Sequence, residues 1–113
     1  MKPVLVHHWE ETVITSKDYE ISLRMRLWQF PSSLKLPEFP EGYKFSWIAF
    51  NVINPKQEFV LFDNHHGKSP HYHIDNKKKY TFFAWTSRKE TQKLFFQKVQ
   101  ERFGNFLAED EIY

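Results

Sequence analysis

Four of the chain's six histidines fall within nine positions, at His65, His66, His71 and His73. Asp63, Asn64, Lys68 and Ser69 stand among them, and Gly67 and Pro70 shape the backbone between. Histidine is the side chain that titrates near neutrality, so two of them can take and give a proton in one turnover. Cleavage of RNA by its own 2′-OH needs that pair: a base on the hydroxyl, an acid on the departing 5′-oxygen, and a cation near the phosphate. His71 and His73, or His66 with one of them, supply base and acid, with His65 in the same cluster. Lys68 supplies the charge that meets the phosphorane, and Asp63 a carboxylate that orients a ring. The same residues allow a second chemistry. His71-x-His73 on one strand face, joined by Asp63 or by His65 and His66, offers three or four ligands to Zn²⁺ or a similar ion. That spacing matches no diagnostic metal motif such as H-E-x-x-H, and the expectation is that neither a metal nor a cofactor is needed. A third reading is a turn closed by Asp63 and Asn64 through side-chain to backbone hydrogen bonds, with the histidines on its surface.

The segments that must hold this loop read as strands. Phe59-Val60-Leu61-Phe62 precedes it, apolar on both faces as a central or helix-covered strand is. After it, His71–Ile74 and Lys79–Trp85 form a hairpin around Asp75-Asn76-Lys77-Lys78, which puts His71 and His73 on one face and Tyr72 and Ile74 on the other. Upstream, residues 4–15 are β-prone, with a break or bulge expected at Glu10-Glu11. Residues 19–28 alternate cleanly, with Ile21, Leu23, Met25 and Leu27 on the buried face and Arg24, Arg26 and Trp28 on the wet one. Residues 29–42 carry Pro31, Pro37 and Pro40 and predict a loop. Residues 43–53 are the next strand, turning through Asn54-Pro55-Lys56-Gln57. Ser87 and Glu90 make a capping box for a helix running to about Phe103, with Leu94, Phe95, Val99, Phe103 and Phe106 as its apolar stripe and Gly104 as its stop. The expected fold is α+β: an antiparallel β-sheet of about six strands with one C-terminal α-helix packed on one face. Residues 1–107 make a single domain and residues 108–113 an acidic tail.

Composition narrows the partners. The chain has 113 residues, no cysteine, and 19% aromatic residues, enough large rings for a core at this size. Without cysteine there are no disulfides and no thiolate ligands or nucleophiles. No apolar run reaches the length of a transmembrane helix, and the opening residues lack a signal-peptide core, so a cytoplasmic protein with no membrane partner is expected. Three of the 14 acidic side chains lie in the last six residues, leaving 16 basic against 11 acidic over residues 1–107. A basic body attracts an RNA or DNA backbone. Arg24, Arg26 and Trp28, with Lys79, are the expected substrate-binding residues: arginines hold phosphates while an aromatic stacks.

Phe62-Asp63-Asn64-His65-His66-Gly67-Lys68-Ser69-Pro70-His71-Tyr72-His73, followed by Lys79-Tyr80-Thr81-Phe82 and a helix containing Leu94, Phe96 and Val99, resembles the TumE-like toxins of bacterial toxin–antitoxin modules. Those proteins are similar in an aromatic-Asp-Asn element, a Gly-containing loop, an H-x-H pair, a Tyr-x-Phe strand and a C-terminal amphipathic helix. Trp28-Gln29-Phe30-Pro31 and Tyr43-Lys44-Phe45-Ser46 resemble that family's middle strands. The likeness spans roughly residues 19–103 and departs from the pattern at Ser69-Pro70 and in the proline-rich segment 32–42. It implies a growth-inhibiting toxin neutralised by a cognate antitoxin that is itself a DNA-binding protein. RNA cleavage by metal-independent acid–base chemistry is read from the residues. A non-enzymatic nucleic-acid or protein binding module and a metal-dependent hydrolase stand as alternatives, and an oligomer is compatible with the sequence.

Overall fold

The computed structural model describes residues 2–31, 38–65 and 67–106. Six strands are hydrogen-bonded in sequence order into one antiparallel sheet: β1 (Val4–Ile14), β2 (Glu20–Gln29), β3 (Tyr43–Asn51), β4 (Phe59–Asp63), β5 (His71–Ile74) and β6 (Thr81–Phe82). A 16-residue helix, α1 (Arg88–Phe103), follows. The α+β class, the strand order and the single helix are those expected.

Alternation decides which face is covered. Ile21, Leu23, Met25 and Leu27 of β2 and Phe45, Trp47 and Ala49 of β3 are fully buried. They sit opposite one another in the register, as do Trp47 and Phe62, and Phe62 and Tyr72. The helix lies on this face. Phe95 packs edge-on against Trp47 and Phe62, Phe96 meets Trp9, and Phe103 meets Tyr19. Phe96 is part of this buried stripe although the pattern did not single it out; Leu94 is only half-buried. Ser87 caps the helix, its Oγ accepting from the Glu90 amide at 3.1 Å, while the Glu90 carboxylate pairs with Lys93.

Gly104 ends the helix at φ +101°, and a Cβ there would stand 2.9 Å from Lys17 Cγ and 3.0 Å from Ser16 Oγ. Only glycine fits that close approach. Arg102 ties the helix end to the sheet, its Nε donating to Asp75 at 2.9 Å and its Nη2 to Glu58 at 3.2 Å.

Three boundaries differ from expectation. The irregularity in β1 falls between Leu5 and His7, not at Glu10-Glu11, which are regularly paired with Arg24 and Leu23. Strand β3 stops at Asn51, whose side chain turns back to hold Glu58 and the Ile53 amide. Strand β6 is two residues long rather than seven. The expected acidic tail at 108–113 and most of the proline loop at 32–37 lie outside the described residues, as does His66.

Candidate functional site

Register brings the site together. Asp63, the last residue of β4, pairs with His71, the first residue of β5, so their side chains share a face. His73, two residues on, joins them. This is the face away from α1. Asn64 fixes where β4 ends. It is wholly buried, its Oδ1 accepting from the Phe45 amide and its Nδ2 donating to the carbonyls of Tyr43 and Glu38, all near 3 Å. The turn reading is thus half right: Asn64 is structural, but Asp63 turns its carboxylate to a histidine. Asp75, immediately beyond β5, secures the other end by accepting from the Phe59 amide at 3.0 Å.

Within the cluster, His71 Nε2 lies 2.9 Å from Asp63 Oδ1, and His71 Nδ1 lies 2.7 Å from the Ser69 carbonyl. Both neighbours are acceptors, so the ring is set to donate from each nitrogen, as an imidazolium does. His73 Nδ1 lies 3.0 Å from the Lys79 carbonyl. A carbonyl cannot donate, so that nitrogen carries the hydrogen and Nε2 keeps a lone pair. Burial, then the charge of His71, push His73 below the ordinary histidine value; Asp63 and the backbone of Lys79 and Asn76 pull the other way without prevailing. The two rings stand edge to face, 4.9 Å between centroids.

Tyr80 lies over them. Its ring is 4.8 Å from that of His71 and 4.6 Å from that of His73, and Phe82 adds a second contact to His71. The histidines are only 1% and 4% exposed, whereas Tyr80 itself is 43% exposed. Lys68 reaches the same place from the loop, its Nζ 5.4 Å from the centre of the Tyr80 ring. Tyr80 is the participant that sequence reasoning missed as a site residue. The signal was present, since an aromatic close after H-x-H across a short turn must fold back onto that pair.

The remaining expected site residues divide. His65 is not in the trio. Its amide touches Asp63 Oδ1 at 3.4 Å, but its ring lies 6.2 Å from that of Trp28. Lys79 enters through its backbone carbonyl. Arg24, Arg26 and Trp28 lie on the same face as the trio. The register links His8, Arg26, Ser46, Asp63, His71 and Phe82 in one row across all six strands. Arg24 belongs to the next row, with Ile48, Leu61 and His73, and Trp28 pairs with Lys44 on the other side.

Asp63, His71 and His73 also form the one group among the described residues that offers three metal-ligand atoms close together, all within 4.8 Å of one another. Two histidines and a carboxylate are a donor set for Zn²⁺ or Fe²⁺. Among the described residues no helix is long and apolar enough to cross a membrane. In comparisons with known proteins, no family model matches the chain, and neither a curated protein nor a solved structure does.

Proposed function

We propose that the chain is a toxin of a bacterial toxin–antitoxin module that cleaves RNA by metal-independent acid–base chemistry at Asp63, His71 and His73. One observation carries the chemistry: a histidine bound to a carboxylate stands 4.9 Å from a second, buried histidine whose Nε2 keeps its lone pair. His73 Nε2 takes the proton of a ribose 2′-OH, and the 2′-oxygen attacks the adjacent phosphorus. The bond to the 5′-oxygen breaks, and that oxygen takes the Nε2 proton of His71. The products are a 2′,3′-cyclic phosphate and a free 5′-hydroxyl; the histidines exchange protonation states and are reset through water. Asp63 holds the His71 imidazolium, and Lys68, at the rim, faces the charge on the phosphate.

Because Tyr80 covers both rings, substrate reaches them only when that side chain swings out. Its exposure and its place in a short connection between β5 and β6 make the movement inexpensive. The toxin setting, the cytoplasmic location and the DNA-binding antitoxin follow from the likeness to TumE-like toxins. The test is incubation of the purified chain with RNA in chelator. Cyclic-phosphate ends that appear with the wild type and vanish with His73→Asn support the reading; intact RNA at every pH between 5 and 8 sinks it.

A second reading has its own observation. Both Nδ1 atoms are tied to backbone carbonyls, which is how metal-binding histidines are commonly oriented with Nε2 toward the ion. Stoichiometric metal in the purified protein, lost with His71→Ala or His73→Ala, would select a metal-dependent hydrolase.

A further inference from the structure

The geometry points to single-stranded RNA as the substrate class, laid across the uncovered sheet face from Trp28 to His71. This inference rests on the acid–base reading of the trio and adds where the strand runs. The observations are those of register and charge. Arg26, Ser46, Asp63 and His71 occupy successive strands in one row. Strand spacing of about 4.8 Å puts β2 roughly 14 Å from β5. That span suits the two or three bases that sheet platforms with helices on the opposite side stack.

The face carries both recognition elements a flexible strand needs. Arg24 and Arg26 side chains are 42% and 43% exposed, and Lys44 Nζ sits 5.9 Å from the centre of the Trp28 ring. Glu10 partly offsets them, 2.8 Å from Arg24 and 3.9 Å from Arg26, which leaves the patch net basic. Trp28, with His65 beside it, supplies an aromatic surface for a base, and the arginines lie between that surface and the reacting trio. A duplex would hide its bases from Trp28 and could not pass an unstacked nucleotide to rings that lie under Tyr80. Single-stranded RNA meets both requirements.

The test uses the full chain carrying His73→Asn, so that RNA stays intact, with fluorescence anisotropy of an end-labelled oligoribonucleotide of about ten nucleotides. Trp28→Ala is expected to weaken binding roughly 5- to 150-fold, with Trp28→Phe restoring most of it, as stacking predicts. Arg24→Ala with Arg26→Ala should lower the slope of log affinity against log salt by about two. A duplex of the same sequence should bind more weakly than the single strand. Unchanged affinity and salt slope in folded Trp28→Ala and Arg24→Ala/Arg26→Ala proteins, or equal binding of the duplex, would overturn the inference. Cleavage by the same face variants with His73 intact separates the two readings. Cyclic-phosphate products with unaltered binding would move the strand elsewhere and keep the acid–base trio; strong binding without cleavage by the wild type would do the reverse.

Discussion

His73→Asn tests the catalytic assignment with least disturbance to the fold. The His73 ring is held by Nδ1 donating to the Lys79 carbonyl, while Nε2 is the atom assigned as base. Asparagine places an amide N–H near the position of Nδ1 and nothing at Nε2. The bond to Lys79 therefore survives, and the loss is the outer edge of the ring with its contacts to His71 and Tyr80. That truncation should cost about 1 kcal/mol. With an unfolding entropy of about 2.1 cal/mol/K per residue over the 113-residue chain, the fall in Tm is about 4 °C. His73→Ala also removes the donor and should cost roughly 1 kcal/mol more. Activity should respond on a different scale. Loss of a general base lowers the rate by ~10²–10⁴, or about 2.7–5.4 kcal/mol in the barrier. Single-turnover cleavage of a short labelled RNA, beside thermal melts of both variants, separates the two effects. A folded His73→Asn protein that cleaves as fast as the wild type refutes the base assignment. Equal activity losses that track Tm across the two variants would mean that His73 only holds the turn.

Four further outcomes are expected. Phe95→Ala, which empties the space between Trp47 and Phe62, should destabilise the protein by roughly 3–5 kcal/mol in denaturant titration; a change under about 1 kcal/mol would mean the helix stripe does not pack as described. Acidification should remove activity by protonating the base. Because His73 is pushed below the ordinary histidine value, stability is retained in full above that value and eroded as pH falls from it toward the folded-state value, a loss that His73→Asn should abolish in melts across pH 5–8. Dialysis against a strong chelator should leave both Tm and cleavage unchanged, and a fall in either would favour the metal reading. Tyr80→Ala should speed acylation of His71 and His73 by diethylpyrocarbonate, read by mass spectrometry; equal rates would show that Tyr80 is not what shields them.

The fold was legible because its signals are local. Ile21, Leu23, Met25 and Leu27 announce a half-buried strand by period alone, and Ser87, Phe103 and Gly104 bracket a helix that runs within those limits. The H-x-H pair was legible for the same reason, since alternation puts His71 and His73 on one side. What period cannot supply is register between strands. That Asp63 faces His71 rather than Tyr72 depends on how residues 64–70 close, and Asn64 decides it through bonds to Phe45, Tyr43 and Glu38, up to 26 positions away. The bulge in β1 escaped for a similar reason: Glu10-Glu11 looks disruptive in sequence, but Glu10 on its strand faces Arg24 and gains from regular pairing.

Register also makes two separate features one surface. Arg24, Arg26 and Trp28 look like an ordinary wet strand face, and the histidine loop like a decorated turn, 37 positions later. Shifting β4 by one residue against β3 would turn Asp63 to the helix side and bury a carboxylate among Trp47, Phe62 and Phe95, which the sheet resists strongly. The apolar pattern that fixes Val60 and Phe62 against the helix therefore also fixes Asp63 on the uncovered face, in the row of Arg26 and Ser46. The packing that stabilises the sheet thereby sets the chemical face. A substitution that left the helix face packed but moved the β3–β4 register would abolish both the His71 pairing and the path from Trp28, even though no site residue had been changed.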